Sequence, residues 1–330
     1  MNGSARIAAV TIVARNYLAL AGSLLSSIAE RERDIDRFVF ITDDLDGRET
    51  FDEGRVIAPA DVFSHDAYMA LARGYDVAEL ATAVKPAVMR YLLDRHYDRV
   101  LYFDPDIVVF APLAAVIDPL AGHDIVLTPH ITEPVPLDGK RPTEVDLLRG
   151  GSYNLGFIGV ANTPGAHAML AWWAERLERY CLDDVSFGLF YDQKWIDLVP
   201  ALFPRTAIVQ HRGCNVAYWN LHSRALGEDD PPRLVSGEPV IFFHFSGFDA
   251  RMPEQLSRFQ TRVEVAREPA LGRLLASYAC RLIERGHLER CKLPYALARF
   301  SVRTGIRLLS RHAYWHARRL LYWSSSGSRA

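Results

Sequence analysis

The sequence predicts an α/β protein in which a mostly parallel sheet is covered by helices. The segment "RIAAVTIVA" at residues 6–14 is an apolar run of strand length, and "DRFVFITDD" at 36–44 contains a second such run. Between them, residues 17–31 carry apolar side chains at helical spacing. Strands that are apolar throughout are typical of a sheet buried on both faces, and a helix between two such strands is typical of a parallel connection.

The rest of the chain continues this alternation as far as about residue 250. The patterns predict further strands over 54–59, 99–110, 123–129, 153–162 and 239–249, and helices over 77–97, over 164–180 and from about 253 onward. Pro86 either kinks the helix at 77–97 or lies in the first turn of a second helix. Residues 129–151 read as a long Pro-rich loop, and Gly156 should interrupt the strand around it.

Composition places the chain among globular proteins and away from membrane-spanning or disulfide-rich ones. Of its 330 residues, 49% are hydrophobic and 24% are charged, with a net charge of -2. The four cysteines form no Cys-x-x-Cys pair and should be reduced thiols. Neither a signal peptide nor an apolar run of about 18 residues is found. We expect a cytoplasmic protein with no nucleic-acid partner, divided into an α/β domain over 1–252 and a basic helical extension over 253–330.

One pair of aspartates stands out by its position. The pattern Asp-x-Asp occurs three times, at Asp34 and Asp36, at Asp44 and Asp46, and at Asp104 and Asp106. The first pair lies in a charged run and the second in a Gly-containing turn, whereas the last pair directly follows an apolar strand. The carboxyl ends of strands in open α/β sheets are where ligands bind. Two carboxylates this close repel each other unless a cation lies between them, and a divalent metal with oxygen ligands supplies that charge. The alternative is a capped strand end with solvated side chains.

Six motifs in order carry a family resemblance. They are "TIVARNYLALAGSLLSSI", "FVFITDD", "RVLYFDPDIVVF", "YNLGFIGV", "YDQKWIDLV" and "FFHFSGFD". Together, over roughly residues 5–250, they resemble the nucleotide-sugar glycosyltransferases of the GT-A fold, in particular glycosyltransferase family 8, which includes glycogenin and bacterial lipopolysaccharide glycosyltransferases. The resemblance implies a Rossmann-like, mostly parallel mixed sheet flanked by helices. It also implies transfer of a hexose, with retention, from a nucleotide-diphosphate sugar to a glycan, lipopolysaccharide or other cell-surface acceptor.

The resemblance assigns a metal site to three residues. In the family, the two aspartates and a histidine near the end of the domain hold a manganese ion on the donor diphosphate, which here corresponds to Asp104, Asp106 and His244. A cation there stabilises the charge that grows on the departing diphosphate. One imidazole among oxygen ligands favours Mn²⁺ over Mg²⁺. His244 could instead be an ordinary core histidine.

The resemblance also assigns residues to the nucleoside and the phosphates. Asn16 and Tyr17 match the family's loop beside the donor base, although positions 14 and 15 hold Ala and Arg where family members often have acidic residues. The implied donor is a uridine nucleotide sugar. Lys85, with Arg90 as a competitor, matches a basic residue placed against the donor, and either could be a solvated cation on a helix surface. Arg251 takes the place of a lysine that usually follows the metal histidine.

Around the transferred sugar the resemblance assigns four residues. Asn154 and Gly156 match a strand beside the sugar, and glycine there suits a close backbone approach. Asp192 and Gln193 match a pair beneath the reacting carbon, where polar groups stabilise an oxocarbenium-like centre. Asp192 could also cap the helix that follows it.

Two features remain open. Tyr218, Trp219 and His222 could form a stacking surface for a sugar or belong to the core. Residues 281–330 hold 11 Lys and Arg against 2 Asp and Glu, and arginines recur every fourth position from 299 to 311. A cationic helix with aromatics over 297–323 is typical of attachment to anionic lipid on the inner face of the cytoplasmic membrane, which would suit a lipid-linked acceptor. A helix packed on the domain is the alternative.

Two other functions compete with glycosyl transfer. A phosphatase of the haloacid dehalogenase type would use Asp104 as nucleophile and Asp106 as general acid. That motif usually opens its domain, whereas about 100 residues precede it here. A non-catalytic, membrane-associated sugar-binding scaffold would keep the fold without the reaction.

Overall fold

The computed structural model describes residues 5–298 and is built around a seven-stranded sheet. In chain order the strands are β1 (Ile7–Val13), β2 (Ile35–Ile41), β3 (Arg55–Ile57), β4 (Arg99–Phe103), β5 (Ile107–Val109), β6 (Ile125–Pro129), β7 (Tyr153–Ala161), β8 (Leu182–Asp184), β9 (Leu189–Tyr191), β10 (Thr206–Ile208) and β11 (Phe242–His244). The α-helices are α1 (Leu18–Arg31), α2 (Pro59–Val62), α3 (His65–Gly74), α4 (Val77–Ala83), α5 (Lys85–Leu93), α6 (Ala114–Ile117), α7 (Glu144–Gly150), α8 (Pro164–Tyr180), α9 (Gln193–Ile196), α10 (Val199–Leu202), α11 (Pro269–Glu284) and α12 (His287–Arg290).

The sheet is mixed, with one strand running against the others. Its order is β10-β6-β7-β4-β1-β2-β3, and all neighbours are parallel except that β7 is antiparallel to both β4 and β6. Two small antiparallel sheets, β5 with β11 and β8 with β9, lie outside it. This confirms the predicted α/β class with a mostly parallel sheet.

Both faces of the sheet are buried, as the apolar strands predict. On β1, Ala8 and Val10 belong to a core shared with α4, α5 and α8, whereas Ala9 and Val13 belong to a second core shared with α1. Side chains alternate between the faces of a strand, so a strand covered on both sides must be apolar at every position.

The helix predicted over 77–97 is two helices, and the break positions a buried lysine. Asp76 caps α4 by accepting hydrogen bonds from the backbone N–H groups of Ala78 and Glu79. The turn at Val84 ends α4, and α5 begins at Lys85 with Pro86 in its first turn. Proline is tolerated there because the N–H that it lacks has no partner inside the helix.

Several boundaries differ from the sequence prediction for physical reasons. β7 continues through Gly156 because it is paired on both sides. The predicted loop contains α7, which Thr143 caps by accepting from the N–H of Asp146. The strand expected over 239–249 is reduced to β11, and 253–264 contains no helix.

The described part of the predicted C-terminal extension packs against the sheet domain. The ring of Tyr278 on α11 stacks on Phe245, with ring centroids 3.8 Å apart. Arg281 donates to the carbonyl of Ser23 at 3.0 Å and pairs with Glu30 at 3.1 Å, which ties α11 to α1. Apart from its first two residues, the segment 297–323 proposed for lipid attachment lies outside the described residues. Within 5–298, no helix has both the length and the apolar character that crossing a bilayer requires.

Candidate active site

The topology brings three distant parts of the chain to one edge of the sheet. Asp104 follows β4 directly, and β7 runs the opposite way, so its amino end lies at the same edge. There the N–H of Asp104 donates to the carbonyl of Gly156 at 2.7 Å. β5 pairs with β11 so that Ile107 lies opposite His244. The histidine is therefore placed beside the two aspartates although it is far from them in sequence.

Asp104, Asp106 and His244 form a compact cluster of metal-ligating groups. The Nε2 atom of His244 lies 3.1 Å from Oδ1 of Asp106 and 3.9 Å from Oδ2 of Asp104, and one ligand atom from each residue lies within 4.8 Å of the others. Burial lowers the pKa of His244, but the two carboxylates outweigh it and raise that pKa above its usual value. Two oxygen ligands and one nitrogen ligand fit a divalent cation such as Mn²⁺ or Mg²⁺.

The carboxamide of Asn154 fixes which way His244 presents its nitrogens. Among the described residues it makes five hydrogen bonds: Oδ1 meets Nδ1 of His244, Nδ2 of Asn215 and the N–H of Gly156, and Nδ2 meets Oε1 of Gln193 and Nε2 of His130. Because a carbonyl oxygen can only accept, Nδ1 of His244 carries the proton in this hydrogen bond. Nε2 is then the nitrogen that faces the aspartates, and it would offer its lone pair to a metal on losing its proton.

Gly156 is required by the histidine. A Cβ atom at this position would lie 2.4 Å from Cε1 of His244 and 2.7 Å from Oδ1 of Asn154. Neither of these groups can retreat easily, since both are buried and hydrogen-bonded to each other. The close approach that the sequence suggested at this glycine is made by an imidazole of the protein itself.

Lys85 and Asp192 form a buried ion pair beside the cluster. Nζ of Lys85 lies 2.6 Å from Oδ2 of Asp192, donates to the carbonyl of Leu155 at 2.9 Å and sits 4.1 Å from the ring centroid of Tyr102. The two residues are 1% and 3% exposed. Burial raises the pKa of Asp192, and Lys85 opposes that rise. Arg90, the competitor to Lys85, is exposed and pairs with Asp94 instead.

Asp192 and Gln193 have different local roles. Asp192 precedes α9, but its side chain makes no capping hydrogen bond, so the helix-cap interpretation was wrong. The amide of Gln193 is engaged within the protein, because Oε1 accepts from the N–H of Leu155 at 2.9 Å and Nε2 donates to the carbonyl of Gly150 at 2.7 Å. Gln193 therefore ties β7 to the end of α7.

Two cavities meet at Asp106. The first, which we call the Lys85 cavity, has a volume of about 580 Å³ and is lined by Lys85, Asp104, His130, Asn154, Asp192, Gln193, Tyr218, Trp219 and His244, among others. The second, which we call the Tyr17 cavity, has a volume of about 740 Å³ and is lined by Asn16, Tyr17, Gly247, Arg251, Tyr278, His287 and Cys291, among others. Four residues line both cavities: Asp106, Ser246, Arg258 and Phe259.

Of the three residues that could form a stacking surface for a sugar, two line the Lys85 cavity and one lies outside it. Tyr218 and Trp219 line the Lys85 cavity, and the indole of Trp219 packs edge-on against His244 with ring centroids 5.2 Å apart. His222 lies to the side, with Nε2 3.3 Å from the carbonyl of Glu133.

Sequence reasoning missed two residues of the site. His130 follows β6 as Asp104 follows β4, and that shared position was the available signal. Burial lowers its pKa to about 4, so it is neutral near pH 7. Arg258 lies in a segment that was predicted to be helical. Within the described chain its guanidinium has no ion-pair partner, whereas that of Arg251 is held by Asp249 at 2.6 Å.

Comparisons with known proteins give distant relatives. No protein-family model matches the chain. It is similar to YfnF of Bacillus subtilis strain 168, with 24% identity over 247 residues that cover 72% of this chain and 80% of that one. It is also similar to YfnD of the same strain, with 27% identity over 175 residues that cover 52% and 54%. Both are described only as uncharacterized proteins, and the chain spans about half the length of the second.

Among solved structures, the similar proteins are glycosyltransferases. A galactosyltransferase LgtC in complex with donor and acceptor sugar analogs has a TM-score of 0.45 and 16% identity, covering 82% of this chain and 96% of that one. The bifunctional glycosyltransferase WbbM has a TM-score of 0.45 and 14% identity, covering 91% and 52%. GlyE of Streptococcus pneumoniae TIGR4 has a TM-score of 0.43 and 14% identity, covering 88% and 66%. At scores below 0.5, such likeness does not establish a shared activity.

Gly156→Ala should weaken metal binding. The added methyl group would push His244 away from Asp106, because the atoms that it meets lie under 3 Å away. We expect Mn²⁺ affinity, measured by calorimetric titration, to fall about 10- to 100-fold, as when a partner that orients a metal ligand is lost. Gly122→Ala is the control, since a Cβ there meets no atom within 4 Å. Unchanged Mn²⁺ affinity in Gly156→Ala would contradict the assignment of His244 as a ligand.

Lys85→Met should destabilise the fold by about 3–5 kcal/mol near pH 7, because it leaves the carboxylate of Asp192 buried and unpaired. The loss should shrink as the pH is lowered. Burial already raises the pKa of Asp192 in the folded state. As the pH falls, the folded protein therefore takes up this proton before the unfolded chain does, and the unpaired charge is removed. Urea unfolding at several pH values measures both effects.

The matched control is Lys194→Met, which breaks the partly exposed pair between Lys194 and Asp197 at 2.8 Å. Such a pair contributes about 1 kcal/mol or less. Equal losses in the two variants would show that the Lys85 pair is not a desolvated one.

Proposed function

We propose that the protein is a metal-dependent glycosyltransferase of the GT-A type that transfers a hexose from a nucleotide-diphosphate sugar, with uridine as its base, to a glycan, lipopolysaccharide or other cell-surface acceptor. The observation that carries this proposal is the meeting of two cavities at Asp106. One side chain of the Asp-Asp-His cluster faces both. A donor with two different ends joined by a diphosphate fits that arrangement.

The residues suggest which end of the donor occupies each cavity. In the Tyr17 cavity, Tyr17 as a whole residue is 48% exposed, and Oδ1 of Asn16 is buried with no hydrogen-bond partner among the described residues. An exposed ring can stack on a base, and an unpaired acceptor can receive a hydrogen bond from a base or a ribose hydroxyl. The nucleoside belongs there. The hexose then belongs in the Lys85 cavity.

At the junction of the cavities the proposal places the diphosphate. Asp104, Asp106 and His244 would hold Mn²⁺ or Mg²⁺, which offsets the negative charge of the departing nucleotide. Arg258 borders both cavities and has no ion pair within the described chain. Its guanidinium can donate two hydrogen bonds to phosphate oxygens. Arg251 also lines the Tyr17 cavity but is already bound by Asp249.

In the Lys85 cavity the described residues supply polar groups around the place that we propose for the hexose. Burial raises the pKa of Asp192 and Lys85 opposes that rise, and the ionised carboxylate would stabilise positive charge developing at the anomeric carbon. Gln193 holds β7 and α7 at the distance that shapes the cavity. The Nε1–H of Trp219 is buried and unpartnered within 5–298, so it can donate to a sugar hydroxyl. We propose reaction with retention, in which the acceptor hydroxyl attacks from the face that the diphosphate leaves.

Asp104→Asn and Asp106→Asn should each abolish metal-dependent donor turnover. Removing a carboxylate ligand leaves the diphosphate charge uncompensated, and we expect a loss of at least about 100-fold in kcat. Calorimetric titration with a panel of nucleotide sugars, with and without Mn²⁺, followed by donor hydrolysis or transfer assays, measures binding and turnover separately. Asp34→Asn is the control, because it removes an exposed carboxylate of another Asp-x-Asp pattern.

The same assays distinguish the competing functions. Magnesium-dependent release of phosphate from simple esters, without use of nucleotide sugars, would favour the phosphatase with Asp104 as nucleophile. Retention of cellular activity in both aspartate variants would favour the non-catalytic scaffold.

Arg258→Ala should weaken UDP binding while leaving uridine binding nearly unchanged. Hydrogen bonds to a charged partner contribute about 1.5–3 kcal/mol, so we expect a loss of roughly 10- to 100-fold for UDP. Arg251→Ala should cost less, because Asp249 already occupies its guanidinium. Equal losses for UDP and uridine in Arg258→Ala would place the arginine at the nucleoside rather than at the phosphates.

A further inference from the structure

We infer that the C-terminal helices complete the nucleoside end of the donor site, with His287 and Cys291 forming the wall that faces Tyr17. This inference rests on the proposed function and adds a role for a segment that the sequence assigned to a separate extension. Tyr278 and Leu282 from α11, together with His287 and Cys291, line the Tyr17 cavity. Of the 18 described residues that line this cavity, seven lie beyond position 252.

The wall is held in place by contacts between α11 and α1. Arg281 reaches the carbonyl of Ser23 and the carboxylate of Glu30, and Nη2 of Arg285 donates to Oγ of Ser26 at 2.8 Å. Leu271, Leu275 and Leu282 share a buried core with Leu20 and Phe245. Because Phe245 directly follows the candidate metal ligand His244, the helix is anchored on the same segment that carries the cluster.

Beyond α11 the chain turns back over the ends of β1 and β2. Gly286, at a φ of +74°, allows the reversal into α12. The N–H of Ala296 donates to Oδ2 of Asp43 at 3.4 Å, and Leu297 is fully buried against the sheet domain. The other carboxylate oxygen of Asp43 accepts from the N–H of Arg15, which begins the turn that carries Asn16 and Tyr17. Asp43 thus links the C-terminal segment to the turn that carries Tyr17, on the two sides of the Tyr17 cavity.

The chemistry of this wall suits a neutral heterocycle more than a phosphate. Burial lowers the pKa of His287, while Asp249 opposes this effect and Arg251 adds to it. The imidazole is therefore uncharged near neutral pH, and it lines the same cavity as Tyr17 and Cys291. A neutral ring can contact a flat base without offering it a charge.

The cysteines of the chain provide an internal test. Cys280 and Cys291 are exposed, while Cys181 and Cys214 are buried. Burial raises the pKa of both buried thiols, so neither should react in the folded protein. Cys280 does not line the Tyr17 cavity. Alkylation of the full-length protein with a maleimide, followed by peptide mass spectrometry, can therefore compare a thiol in the proposed wall with one outside it.

Saturating UDP should slow alkylation of Cys291 about 10-fold or more, because a thiol must be accessible to react, and should leave the rate at Cys280 unchanged. Inorganic phosphate at the same concentration should protect neither. Mn²⁺ is present in every arm, so that its own effect cancels. Equal slowing at both cysteines would overturn the inference, because it would report a general change of the protein.

A pair of variants gives a second measurement. In Cys291→Phe the larger side chain should occupy part of the Tyr17 cavity and oppose binding of the nucleotide sugar. We expect its KM to rise about 10-fold or more, with little change in kcat. Cys280→Phe should change neither constant, and urea unfolding checks that both variants fold. If calorimetry shows UDP binding but Cys291 is not protected and Cys291→Phe binds normally, the inference fails while the proposed function stands. If UDP and nucleotide sugars do not bind at all, both fail.

Discussion

The carboxamide of Asn154 is the group on which the rest of the site depends. It sits at the amino end of the one antiparallel strand of the main sheet, and its hydrogen bonds reach the candidate metal ligand His244, the neighbouring Gln193 and the buried His130. A buried polar network is strong only when each member is satisfied, because an unpaired group in a low-dielectric interior is costly. The family resemblance implied a place beside the sugar for Asn154, and in the structure its amide bonds to other groups of the protein. We propose that it also orients the groups around it.

Charge is distributed in the site so that two carboxylates are left for a cation. Asp192 is neutralised by Lys85 in a pair that is almost fully buried. Among residues 5–298, the side-chain partners of Asp104 and Asp106 are the imidazole of His244 and the hydroxyl of Tyr102, which donates to Asp104 at 2.6 Å. A second ammonium group beside them would have closed the site by pairing with them. The break between α4 and α5 directs Lys85 towards Asp192. The lysine therefore pairs with Asp192, and Asp104 and Asp106 are left for a cation.

The proposed donor site also changes how the C-terminal region is understood. The sequence pattern is helical from about residue 253 onward and residues 281–330 are strongly basic, so a boundary near 252 is a reasonable prediction. In the structure, α11 buries its apolar face against α1 and Phe245, and α12 lies beside the Tyr17 turn. We therefore propose that the described part of the extension belongs to the same cooperative unit as the sheet domain. Composition reports the surface of a segment and does not reveal which neighbour covers its apolar face.

The sequence by itself determined the α/β class, the main strands of the sheet and the place of the Asp104 pair at a strand end. These features depend on local patterns, namely continuous apolar runs and the residues that follow them. Only the tertiary structure decided what each site residue touches. Gly156 is needed because His244, which lies 88 positions later, occupies the space of its Cβ, and Lys85 is a buried ion-pair partner because Asp192 folds against it. Arg258 and His130 enter the site for the same reason. Contacts between distant positions arise from strand order and helix packing, which no local pattern records.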